Sequence, residues 1–132
     1  MIRVVLGIGC DRGAAQETLA HAVTQALAHL GLTPQAVSAL ASIEAKRDEG
    51  GLLALAQRHG WPLYFFSASR LAAVEVPNPS AVVHRHLGTP AVAEAAALAA
   101  AGSAELLLPK QKYRGPDGKH ATVAVARANA HG

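Results

Sequence analysis

The sequence predicts a single three-layer α/β domain with a mixed sheet, a βαβαβ start and a C-terminal β-hairpin. Aliphatic runs of strand length alternate with helical stretches through the first half of the chain. That alternation builds parallel strands covered by helices. Near the end, two further strand candidates flank Gly115-Pro116-Asp117-Gly118, a strong turn signal. The length, 132 residues, suits one hydrophobic core, and neither an internal repeat nor a linker divides it. Residues 1–132 are therefore read as one domain.

Residues 2–8 are a β-branched and aliphatic run ending in glycines, the pattern of a buried strand. A helix is predicted over 14–30, where Leu19, Val23, Ala26, Leu27 and Leu30 recur at three- and four-residue steps and Gly31 supplies the stop. Residues 37–43 read as the second strand. A polar segment, 44–51, then leads to a short helix over 52–59 that Gly60 ends. Residues 62–66 form the third strand, and Ser67 is placed to cap a helical turn over 71–73. Val76-Pro77-Asn78-Pro79 is a rigid connector, because proline cannot join a helix interior. Ser80 caps a predicted helix over 81–87. Thr89-Pro90 opens another that runs to Ala101 and stops at Gly102. Strands over 105–111 and 122–126 complete the hairpin, with 113–120 as its loop.

Composition narrows the function. Half of the residues, 51%, are hydrophobic, but most are alanine and leucine, which favours close helix–sheet packing over a bulky core. The net charge of +3 comes without a dense Lys/Arg stripe, so no nucleic acid is expected and a small anionic ligand is. A lone Cys10 excludes an internal disulfide and a cysteine-rich zinc cluster. His84 and His86 fall on different helix faces. His21 and His29 lack an acidic or thiol companion, and His59, His120 and His131 read as a helix end, a loop and a tail. No metal and no cofactor are therefore expected. The apolar run 91–101 is too short for a membrane span and contains Glu94, and the first residues lack a signal-peptide pattern. The expectation is a cytoplasmic protein without a membrane partner.

Three segments could carry chemistry. Gly7-Ile8-Gly9-Cys10-Asp11-Arg12-Gly13 runs from the first strand into a helix, where free N–H groups and the helix dipole attract anions and Arg12 adds a fork of donors. Its glycine spacing fits neither the dinucleotide nor the P-loop fingerprint, and a ligand-free tight turn would look the same. Ser42-Ile43-Glu44-Ala45-Lys46-Arg47-Asp48-Glu49 should neighbour that turn if the first two strands are adjacent; a solvated loop is the plain alternative. Pro109-Lys110-Gln111-Lys112 carries two cations on one side of a strand, serving either as a second anion contact or as protection of a sheet edge. Cys10, at a helix start, is the one candidate nucleophile, although a small residue fitting the turn explains it as well.

These segments occur in one order with Phe65-Phe66-Ser67-Ala68, Val76-Pro77-Asn78-Pro79-Ser80, Gly88-Thr89-Pro90-Ala91-Val92-Ala93-Glu94 and Thr122-Val123-Ala124-Val125-Ala126. Together they resemble the CobE family, which is also the C-terminal domain of the cobalamin-biosynthesis protein CbiG. The resemblance covers nearly the whole chain. It implies a role in building the corrin ring. CbiG proteins open a δ-lactone on cobalt-precorrin-5A and release acetaldehyde, and a chain beginning at this domain resembles the stand-alone CobE of the oxygen-dependent pathway. The family often has a basic residue where Asp11 stands, and Asp in place of Glu44.

The resulting expectation is binding of a polycarboxylated precorrin or corrinoid intermediate, as carrier or auxiliary of ring formation. Its carboxylates would meet Gly7, Gly9, Cys10, Arg12, Gly13, Lys46, Thr89, Lys110 and Lys112, around an apolar floor. Two alternatives stand beside it. One is a lactone-opening hydrolase with Glu49 as general base and Lys46 as its charge partner; the other is a nucleotide-binding regulatory domain. Contacts with other cobalamin-biosynthesis enzymes and a homodimer are left open.

Overall fold

A computed structural model describes residues 2–76, 92–103 and 105–128. Five strands form one mixed sheet in the order β3-β2-β1-β5-β4. They are β1 (Val4–Cys10), β2 (Val37–Ile43), β3 (Leu63–Phe66), β4 (Leu106–Arg114) and β5 (His120–Arg127). The first three are parallel, whereas β5 runs antiparallel to both β1 and β4. The predicted hairpin is therefore present, and its second strand is central rather than peripheral.

Helices α1 (Gln16–His29) and α2 (Gly50–His59) cover one face of the sheet. Their buried stripe, including Leu19, Val23, Leu27, Leu52 and Leu55, packs on Leu6, Ile8, Leu40, Val123 and Val125. The opposite face is covered by α3 (Ala68–Ala72) and α4 (Val92–Ala101), the latter lying over β1, β2 and β5. Here Ala95, Ala96, Ala97 and Leu98 meet Val5, Ala39, Ala41 and Ala126. Small side chains on both sides let α4 lie close to the strands. At Gly7 the approach is closest, since a Cβ there would collide with the backbone oxygen of Ala93.

Several elements depart from their predicted ends for physical reasons. The second helix starts at Gly50 rather than at 52, because Gly51 is a contact point and not a break: a Cβ on it would strike the Ala14 carbonyl oxygen. Tyr113, Arg114 and His120, predicted as loop, are strand residues, with Arg114 paired to His120. The polar residues simply occupy the exposed ends of the ladder. Ser67 does cap α3, accepting from the Arg70 N–H at 3.1 Å. The connector at 76–79 beyond its first residue, its successor Ser80, the helix over 81–87 with residues 84 and 86, and Thr89 lie outside the described residues.

The N-terminus of α1 has no capping side chain of its own. Asp117, in the β4–β5 turn, supplies it instead. Its carboxylate accepts from the Ala15 N–H and the Thr18 hydroxyl, both at 2.9 Å. Gly115 permits this docking, because a side chain there would overlap Thr18. The hairpin tip is thereby fastened to the start of the first helix.

Candidate functional site

The carboxyl end of β1 faces the start of β5, since Cys10 pairs with Ala121 in their antiparallel register. The next residue on each side, Asp11 and His120, form a three-bond clasp. Asp11 N donates to His120 O at 2.9 Å, His120 N donates to Asp11 Oδ2 at 2.8 Å, and His120 Nδ1 lies 3.1 Å from the same oxygen. Those donors, the backbone N–H first, hold the Asp11 carboxyl below its ordinary range.

Beside the clasp lies a cleft of about 350 Å³. Gly9, Cys10 and Asp11 contribute from β1, and Ile43 and Lys46 from the end of β2 and the single 3₁₀ turn after it, Glu44–Lys46. Lys110 and Lys112 reach it from β4, His120, Ala121 and Thr122 from β5, and Val92 and Ala93 from α4. Gly9 leaves room for Thr122, whose Oγ1 would be 2.6 Å from a Cβ on that glycine. The Lys110 N–H donates to Glu94 Oε2 at 3.1 Å, so a buried carboxylate of α4 fixes the backbone of β4 where its register shifts. Three lysines from two elements thus share the cleft with the small or apolar residues Gly9, Ile43, Val92, Ala93 and Ala121, with Cys10, His120 and Thr122, and with Asp11 as the one carboxylate among the described lining residues.

Five of the nine residues expected to meet a ligand line this cleft: Gly9, Cys10, Lys46, Lys110 and Lys112. Gly7 lies under α4 instead, and Thr89 falls outside the described residues. Arg12 and Gly13 turn to a second cluster. Arg12 Nη1 lies 2.7 Å from Asp48 Oδ1 and 2.8 Å from Glu49 Oε2, and its Nη2 donates to Ala45 O at 3.0 Å. Gly13 N donates to Glu49 Oε1 at 2.9 Å. Glu49 is only 3% exposed and is absent from the cleft lining. Its charge partner is Arg12, not Lys46 as the sequence suggested. The contact to Oε2 is a close ion pair rather than an aligned hydrogen bond. The arrangement holds the first loop against the second and places Glu49 poorly for work as a base.

Cys10 is partly buried, and that burial raises its thiol pKa, with Lys46 opposing and Glu49 reinforcing the shift. A protonated thiol is a poor nucleophile at neutral pH. Sequence reasoning missed His120, which it placed in a loop. Only the pairing of β1 with β5 brings residue 120 beside residue 11, and no local pattern announces a contact across 109 positions. No group of three or more potential metal ligands occurs among the described residues, and no described helix is long and apolar enough to cross a membrane.

Residues 4–126 match the family described as Cobalamin synthesis G C-terminus. The chain belongs to this family. It is 35% identical over 125 residues to Protein CobE of Sinorhizobium sp, covering 93% of this chain and 79% of that one. It is 34% identical over 109 residues to the cobalt-precorrin-5A hydrolase of Priestia megaterium, covering 83% of this chain but 29% of the hydrolase. Among solved structures, CobE from the cobalamin biosynthetic pathway superposes with a TM-score of 0.74 at 35% identity, over 97% of this chain and 92% of that one. The cobalamin biosynthesis protein chiG from Agrobacterium tumefaciens gives 0.70 at 38% identity, over 96% and 98%. The mixed five-stranded sheet with its terminal hairpin is therefore the fold of a family of cobalamin biosynthesis.

Proposed function

We propose that this protein binds a polycarboxylated corrinoid or precorrin intermediate of cobalamin biosynthesis in the β1–β5 cleft, as carrier or auxiliary of corrin ring formation. The observation that carries the reading is the convergence of Lys46, Lys110 and Lys112 on one cleft with an apolar wall. Corrin precursors present acetate and propionate groups around a flat apolar macrocycle. Cations around an apolar surface complement such a ligand. At about 350 Å³ the cleft is at the small end of ligand pockets, so it takes one edge of the macrocycle with its carboxylates. The names of the relatives support a substrate of this class.

The nucleotide alternative loses its anion site. The Gly13 N–H is taken by Glu49 and the Ala15 N–H by Asp117, so the protein's own carboxylates fill the start of α1 where a phosphate would sit.

Charge-assisted contacts contribute roughly 1.5–3 kcal/mol each when well formed, and exposure to solvent reduces this. Lys46→Ala and Lys112→Ala should each weaken binding of a corrinoid free acid about tenfold, since ~1.4 kcal/mol is one decade. Arg12→Ala should change affinity less than about threefold, because its guanidinium serves Asp48, Glu49 and Ala45. Esterifying the ligand's carboxylates should reproduce the lysine losses. Isothermal titration of wild type and the three variants with acid and ester tests this. Equal affinity for acid and ester would overturn the cationic-cleft reading.

A further inference from the structure

We propose that His120, oriented by Asp11, acts as general base for hydrolysis of an ester or lactone bond in the ligand held by this cleft. The inference rests on the binding reading above and assigns residues of this chain to the lactone opening that the resemblance to CbiG implies, with His120 in place of Glu49 as the base. The relevant arrangement is an imidazole on the cleft wall, a carboxylate fixed behind it, and three ammonium groups on the same wall.

The clasp decides which ring nitrogen is basic. Asp11 is ionised at neutral pH, held so first by the His120 backbone N–H, and an ionised carboxylate only accepts hydrogen bonds. The His120 nitrogen 3.1 Å from it, Nδ1, therefore carries the proton. The neutral ring then keeps its lone pair on Nε2, which makes no hydrogen bond to any described residue. This is the division of labour of a carboxylate–histidine pair in hydrolases: one member fixes tautomer and orientation, and the other moves the proton. A clasp needed only to hold the loop would not require the imidazole. The two backbone contacts, Asp11 N to His120 O and His120 N to Asp11 Oδ2, already join the two ends.

In the reaction, a water oxygen bonds to the acyl carbon while one of its protons passes to Nε2. The carbonyl electron pair moves onto its oxygen, where the ammonium groups of Lys46, Lys110 and Lys112 favour the negative charge. Collapse restores the carbonyl and breaks the bond to the alkyl oxygen, which takes the proton back from Nε2. The products are a carboxylic acid and an alcohol. Water is the only co-reactant, and no group changes oxidation state. Cys10 stays protonated beside this path and forms no acyl intermediate.

The test uses the whole chain and cobalt-precorrin-5A, the compound in the name of the Priestia relative. Binding is followed by titration, and turnover by product mass in ¹⁸O-labelled water. Wild type should bind and place one labelled oxygen in the product. His120→Gln keeps an amide donor toward Asp11 but has no base. Its turnover should fall at least about 100-fold, with affinity within about threefold. Asp11→Asn removes the tautomer lock and should cut kcat about tenfold or more while KM holds. Binding without cleavage, or full turnover by a folded His120→Gln protein, overturns the catalytic assignment and leaves the carrier reading standing. Absence of binding overturns both.

Discussion

Two clusters of charge sit side by side at the carboxyl ends of the first two strands, and they differ in where their charge goes. In the clamp, Arg12 faces Asp48 and Glu49, and the Gly13 N–H completes the pairing. Every charge there meets an opposite charge from the same protein. In the cleft, three lysines share a wall with one carboxylate, and that carboxylate accepts two hydrogen bonds from His120. The clamp therefore fixes loops, and the cleft sets Lys46 and Lys112 on a wall whose carboxylate is already bonded to His120. Composition gives the two regions the same description. Their partners separate them.

The glycines divide along the same line, and there the largest effect is expected. Gly9 opens onto the cleft, whereas Gly7 lies where α4 crosses β1. Gly7→Ala must push α4 off the sheet, because the obstructing atom is backbone oxygen and cannot rotate away. Overpacking of this kind costs roughly 1–3 kcal/mol, occasionally more. Urea unfolding should show a lower midpoint with little change in slope. A Gly7→Ala protein of wild-type stability that binds ligand poorly would move Gly7 back into the site and blur the division.

Much of the fold was legible because its signals are local. β2 (Val37–Ile43) matches its sequence reading residue for residue, since an aliphatic run bounded by proline and charge has few other uses. The helix α1 was found from its apolar spacing, but not its cap, because the capping carboxylate of Asp117 lies 102 residues from Ala15. Gly50 and Gly51 look like a break and instead open α2, since tight packing against Ala14 requires a missing side chain at Gly51. The site was half legible for the same reason. The lysines stood out as cations near strand ends. The pairing of Arg12 with Asp48 and Glu49, out of five charged residues in a row of eight starting at Ser42, and of Asp11 with His120, depends on which strands lie together.

Acid should sharpen the comparison, with an intermediate effect. Asp11, Asp48 and Asp117 all have depressed carboxyl pKa values. The leading causes are the His120 backbone N–H, the Arg12 side chain and the Ala15 N–H respectively. A depressed folded value means that the unfolded chain takes up protons first as the pH drops. Their contribution to stability is therefore complete above about pH 4, the ordinary carboxylate range, and is lost as the pH falls through the lower folded values. Unfolding midpoints measured from pH 6 to pH 2 should fall most steeply at the acid end. Asp48→Asn and Asp117→Asn should each flatten that fall while leaving ligand affinity at pH 7 unchanged. An affinity loss in Asp48→Asn would tie the clamp to the cleft.

The smallest effect is expected at Cys10, the residue where the two clusters come nearest in electrostatic terms. Lys46 of the cleft and Arg12 of the clamp both favour its thiolate, Glu49 and Asp11 both oppose it, and burial outweighs them all. The thiol therefore stays neutral at pH 7, and neither cluster uses it as a charge. Iodoacetamide at pH 7–8 should alkylate it more slowly than a free cysteine, because the thiolate is the reacting form. Since Cys10 lines the cleft, a bound corrinoid should slow the alkylation further. Cys10→Ser exchanges one small, weakly polar group for another in a partly buried position, so stability should drop by about 1 kcal/mol or less. Corrinoid affinity should stay within about twofold, because the cleft lysines proposed to meet the carboxylates are untouched. Fast alkylation of the free protein would show that the local field favours the thiolate over burial. Loss of turnover in a stably folded Cys10→Ser protein would go further, since the proton transfer assigned to His120 would then serve a sulfur nucleophile instead of water.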